Sequence, residues 1–107
     1  MSEYEIYEGG NANMTSLQGY VKASYDDLVD LFGEPTYTGS GDDKVDFEWV
    51  LTIEGPDGAD VATIYNWKDY DNGLEAQSNP FYNWHIGGHT KLVVAAIQEY
   101  LDEKVIG

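Results

Sequence analysis

The sequence predicts an α+β domain, an antiparallel sheet of three to five strands with two helices packed on one face. Three observations lead there. Val45, Phe47, Trp49, Leu51 and Ile53 alternate with Asp46, Glu48, Val50, Thr52 and Glu54, the period of a half-buried strand. Two further apolar stretches, 61–68 and 82–86, follow with no strong helical pattern between them, so the three strands are neighbours in the chain. Leu92, Val93, Ala96, Ile97, Tyr100 and Leu101 then recur at helical spacing.

From the N-terminus, residues 1–13 combine alternating Glu3-Tyr4-Glu5-Ile6 with Gly9-Gly10-Asn11-Ala12-Asn13, an edge strand or mobile arm running into a loop. Residues 15–23 read as a weak strand with Leu17 and Val21 on one face and Gly19 between them. Ser24 caps a helix. Asp26 and Asp27 follow where the macrodipole favours negative charge, and Leu28, Leu31 and Phe32 form its apolar stripe. Gly33 stops that helix and Pro35 prevents its return. Residues 36–43 are a loop, and the strand at 44–54 turns through Gly55-Pro56-Asp57-Gly58 into its hairpin partner at 61–68. Residues 69–80 read as a long polar loop. Tyr82, Trp84 and Ile86 make the third strand, which Gly87-Gly88 breaks, and Thr90 caps the last helix through about Lys104. No internal repeat or domain boundary interrupts residues 1–107, so a single domain is expected.

Composition narrows the function. Of 107 residues, 20 are acidic and 5 are basic, every one of them Lys, for a formal charge of −15. The 3 Trp, 9 Tyr and 3 Phe are far more aromatic content than an acidic disordered tail carries, so the chain folds despite its charge. A chain without Arg builds a poor phosphate-binding surface, which argues against direct nucleic-acid binding and against docking to an anionic membrane. The expected macromolecular partner is basic. Halophilic adaptation and plain solubility also produce acidity, although about 2–8 charges suffice to keep a small domain soluble. The absence of Cys excludes disulfides and thiol chemistry. The opening residues lack the blocks of a signal peptide, which makes the cytoplasm the expected compartment.

Carboxylates are the candidate functional groups. With Phe47 and Trp49 turned inward, Asp46, Glu48 and Glu54 face water. Acids two apart on a strand lie about 6.6 Å apart, near two phosphate steps of a nucleic-acid strand. Asp42 and Asp43 precede this row, and Asp57 and Asp60 follow it. The set suits a surface that imitates nucleic-acid phosphates, and it equally suits an ordinary polar sheet face in water. A second patch, Asp26, Asp27 and Asp30, lies on the first helix, where Asp26 and Asp30 share a face; capping and solubility also account for it. One of the pairs Tyr65/Trp67 and Ala62/Ile64 faces outward, and exposed aromatics among acids suit contact with Arg and Lys.

Other chemistry is weakly encoded. His85 and His89 are four apart, but Gly87-Gly88 between them argues against a zinc-binding helical turn and favours a structural role. Asp69 to Glu75 misplaces the glycine of a calcium loop and puts Pro80 where its last ligand belongs. No phosphate loop, nucleophile elbow or triad is readable. The expectation is therefore no catalytic residue, no metal and no cofactor.

Gln18-Gly19-Tyr20, Tyr25 to Pro35, Phe47-Glu48-Trp49, Ala62 to Lys68 and Trp84 to His89 together resemble small acidic proteins of tailed bacteriophages, over most of residues 17–98. The resemblance implies a phage accessory protein acting in the bacterial host's cytoplasm, and it assigns no role to any residue. Small acidic phage proteins are often inhibitors of host defence, of anti-CRISPR or anti-restriction type. By that analogy, the expected function is an inhibitory nucleic-acid mimic that binds a basic nucleic-acid-binding host protein. The alternatives are an accessory protein whose acidity serves solubility alone, and a small enzyme centred on His85 and His89. Tyr25 to Ile53 is also similar to the helix-Gly-x-Pro element and Trp-bearing hairpin of the β-lactamase-inhibitor-like fold, which implies the same α+β class and no function.

Overall fold

The computed structural model describes residues 4–11, 14–38, 47–56, 58–66 and 74–103. Along the chain these form β1 (Glu5–Glu8), β2 (Ser16–Ala23), α1 (Tyr25–Phe32), β3 (Tyr37–Thr38), β4 (Phe47–Gly55), β5 (Gly58–Tyr65), α2 (Leu74–Ser78), β6 (Tyr82–Gly88) and α3 (Leu92–Leu101). The strands make one six-stranded sheet in the order β1-β4-β5-β6-β2, with β3 also paired to β4. Every pairing is antiparallel. The architecture is α+β, with more strands than three to five and with three helices.

The alternation in β4 does what its period dictates. Trp49, Leu51 and Ile53 are buried with Ala62 and Ile64 of β5 and Trp84 and Ile86 of β6. Leu28 and Phe32 of α1, Ala76 of α2, and Val93, Ala96, Ile97 and Leu101 of α3 join the same core. The helices therefore cover this one face of the sheet. Each central tryptophan is tied at its polar atom. The Trp49 indole N–H donates to the Gly33 carbonyl at 2.9 Å, and that of Trp84 to the Ala23 carbonyl at 3.0 Å. The two rings meet edge to face at 5.4 Å. Gly33, with φ 84° and ψ −172°, occupies a region open essentially to glycine, so it both ends α1 and aims its carbonyl at Trp49.

Ser24 caps α1 as its sequence suggests, accepting the Asp27 N–H at 3.0 Å. Several other elements differ from the sequence reading. Leu17 and Val21 lie on opposite faces, because a bulge between Leu17 and Gly19 shifts the β2–β6 register. Leu17 is exposed and Val21 is in the core. Gly87-Gly88 does not break β6 but completes it. A Cβ on Gly87 would overlap the Thr63 hydroxyl on one face of the sheet, and one on Gly88 would come within 2.6 Å of Val93 on the other. The glycines are there because both faces approach closely. Within the stretch read as a polar loop, α2 buries Ala76. The short strand β3 lies within the stretch read as the loop at 36–43. Thr90 gives α3 no side-chain cap; the cap position is Lys91, which makes no capping hydrogen bond. Leu92 is 73% exposed, outside the apolar stripe of α3, and with Tyr4, Pro56 and Ala59 it lines an open cleft of about 180 Å³ at the sheet's end.

Candidate binding face

The face of the sheet opposite the helices follows from parity. On β4 it receives Glu48, Val50, Thr52 and Glu54. Strand register then extends each position sideways. Tyr37 of β3 pairs with Glu48, Glu48 with Tyr65, Tyr65 with His85, and His85 with Tyr20. Five strands thus contribute one transverse row, Tyr37–Glu48–Tyr65–His85–Tyr20.

Contacts within the row are specific. The His85 ring stacks on Tyr65 at 5.4 Å with 29° between planes, and Tyr20 meets His85 edge-on at 4.9 Å. Tyr37 and Tyr20 remain exposed at the two ends. Beside the row, Gly87 leaves room for the Thr63 hydroxyl and for the edge of Tyr65, which is why Thr63 is buried here. Further along, the chain after β1 folds over the sheet, where the Thr52 hydroxyl donates to the Gly9 carbonyl at 2.8 Å. The far end carries Glu5 opposite Glu54, two like charges in register. Such a pair is mildly destabilising on its own. Desolvation, followed by the charge of Glu54 and a hydrogen bond to it, pushes the Tyr7 phenol up.

Glu48 differs from the other carboxylates. It is half-buried, and desolvation holds its carboxyl above the usual range. Tyr65 beside it is also raised, by desolvation first and then by the charges of Glu48 and Tyr20. Among the described residues, no hydrogen bond or ion pair reaches the Glu48 carboxylate. A carboxylate whose folded pKa is raised favours the fold when protonated, and that contribution is lost as pH rises through the raised value. Glu48→Gln is therefore expected to melt higher than the parent at pH 7. The difference should shrink as pH falls and approach zero by about pH 3, below the ordinary glutamate range, where the parent carboxyl is neutral in both the folded and the unfolded state. Glu99→Gln, at an exposed site on α3, removes the same charge without the desolvation and should show a smaller gain. Thermal melts of the three proteins across this range check the expectation.

The carboxylates singled out in the sequence separate into groups. Glu48 and Glu54 share the open face, six residues and about 20 Å apart, with Val50 and Thr52 between them. Asp46, Asp42, Asp43 and Asp57 lie outside the described residues, as do Trp67 and the stretch 69–73. Asp60 pairs with Ile53 and so belongs to the helix side. Its carboxylate accepts the Val61 N–H at 2.8 Å and sits 3.2 Å from His89 Nδ1. Asp26 and Asp30 are exposed on α1, and Asp27 is half-buried at its capped end, all in the helix layer. The two histidines are apart in role: His85 is part of the open-face row, and His89 lies beyond the end of β6. Among the described residues, no group of three or more His, Asp or Glu could hold a metal ion. No helix among them is long and apolar enough to cross a membrane.

The sequence reading missed Tyr20, Tyr37, His85, Tyr7 and Glu5 as members of this face. Only the outward parity of Tyr65, opposite to buried Ala62 and Ile64, was available as a signal. Comparison of the chain with protein-family models, with curated proteins and with solved structures finds no match in any of the three.

Proposed function

We propose that this chain is a binding protein that occupies a basic, nucleic-acid-binding surface of another protein, its carboxylates taking the place of phosphates. In the setting implied by the phage-protein resemblance, it is a phage-encoded inhibitor of a bacterial defence nuclease or effector. The observation that carries the reading is the sheet face opposite the described helices, where Glu48, Glu54 and Glu5 stand among exposed Tyr7, Tyr20 and Tyr37. Lys22 is the one cation on that face among the described residues. A net charge of −15 adds long-range attraction toward a basic partner.

The test is capture of a partner from bacterial lysate, followed by a competition assay on the captured protein. Capture is expected near 0.1 M salt and to be lost near 1 M, as the screening length falls from about 10 Å to about 3 Å. The captured protein should lose nucleic-acid binding on adding one equivalent of this chain. The triple reversal Glu5→Lys, Glu48→Lys, Glu54→Lys should weaken capture by about 100-fold or more, on the scale measured for close interfacial charge pairs. Capture that tolerates both salt and charge reversal would support the accessory-protein alternative and overturn the proposal.

A further inference from the structure

We infer that Glu48, set between Tyr37 and Tyr65, is a receptor for one arginine side chain of the partner. The inference rests on the proposed role of the open face and specifies what that face recognises. Three features of the site lead to it.

The first is the lone carboxylate. Glu48 is half-removed from water, and no described cation or donor compensates it. A partly desolvated charge without a counter-charge costs free energy in the isolated protein. A cation arriving from outside would recover that cost.

The second is the flanking geometry. Tyr37 on β3 and Tyr65 on β5 are register partners of Glu48 on its two sides, one strand spacing of about 4.8 Å away each. His85 of β6 stacks on the Tyr65 ring at 5.4 Å. The stacking also holds that ring in place. Glu48 therefore lies between two tyrosine positions on the same face, one with its ring braced by His85 and one 62% exposed at the rim.

The third is chemical fit. A guanidinium is planar, stacks on aromatic rings, pairs with a carboxylate through two parallel N–H donors and is weakly hydrated. A lysine ammonium is strongly hydrated and has no plane to lay against tyrosine, so it gains less at a half-desolvated carboxylate. This chain contains no Arg. The guanidinium cannot come from a second copy, and a partner protein must supply it.

The probe is N-acetyl-arginine amide, with N-acetyl-lysine amide as the comparison, titrated into the intact protein while the His85 and Tyr65 ring resonances are followed by NMR. Saturable shifts are expected with the arginine amide, with about five-fold weaker binding of the lysine amide. Glu48→Gln should weaken arginine-amide binding by about 10-fold, and Tyr37→Ala by about 3-fold. Both variants should leave the amide spectrum of the core unchanged, and Glu99→Gln should bind like the parent. Equal binding of the two amides, parental binding by Glu48→Gln, or no shift at about 100 mM arginine amide overturns the inference. Failure here is distinct from failure of the proposed function. Salt-sensitive capture that survives Glu48→Gln at parental affinity removes the arginine receptor and leaves the binding role standing. Arginine-amide binding without charge-dependent capture does the reverse.

Discussion

Trp84→Ala is expected to lower the unfolding free energy by about 3–5 kcal/mol, the range for truncating a buried aromatic side chain. Small domains hold only about 5–15 kcal/mol in all, so the variant should lie at the edge of folding. Trp84 is fully buried at the centre of the core. It meets Trp49 edge to face at 5.4 Å and Tyr82 at 4.8 Å, and its N–H donates to the Ala23 carbonyl on the neighbouring strand. Truncation removes the ring from both aromatic neighbours, leaves a cavity under the sheet and withdraws the donor. Trp84→Phe separates these effects. It keeps an aromatic ring in the cavity but deletes the N–H, and it should cost a smaller amount, about 1–3 kcal/mol. Trp49 holds the equivalent place toward Gly33, so Trp49→Ala should behave alike. Urea unfolding followed by far-ultraviolet circular dichroism checks the order, independently of the fluorescence that the substitutions remove. Equal losses for the Ala and Phe variants would mean that the hydrogen bond, not the packing, dominates.

Gly88→Ala is expected to cost about 1–3 kcal/mol through overpacking. Its new methyl group would stand 2.6 Å from Val93 Cγ2, and Val93 is 2% exposed in the first turn of α3. A β-branched side chain packed there has little rotamer freedom with which to withdraw, so the helix must move off the sheet. The same geometry predicts coupling. Val93→Ala alone leaves a cavity, but in the Gly88→Ala background it removes the clash, so the double variant should lose less than the sum of the singles, by about 0.5–3 kcal/mol. A double-mutant cycle in urea measures this directly. Strict additivity would mean that the strand, and not the α3 contact, absorbs the extra methyl group.

These two sites mark different degrees of legibility. The burial of Trp49 and the outward parity of Glu48 and Glu54 follow from a period of two, which depends only on alternation within one strand. The start of α1 at Ser24 and its end at Gly33 follow from local hydrogen bonding and backbone geometry, which neighbouring residues set. Gly87-Gly88 looked like a break because glycine commonly interrupts a strand. Its actual cause, Thr63 on one face and Val93 on the other, is a contact between residues distant in the chain. The bulge that parts Leu17 from Val21 is likewise a property of the β2–β6 pairing and not of β2 alone. Thr90 has the right chemistry for a cap, yet the backbone enters α3 one residue later.

The candidate face divides in the same way. The sequence by itself determined the α+β class, the inward side of β4 and the excess of carboxylates with no arginine, since each is a matter of composition or of short-range periodicity. Only the tertiary structure decided that Tyr37, Tyr65, His85 and Tyr20 stand in line with Glu48, and that Glu48 is partly withdrawn from water. Those facts depend on strand order and register, which arise from pairing segments up to dozens of residues apart, and a single strand's alternation carries no record of its neighbour.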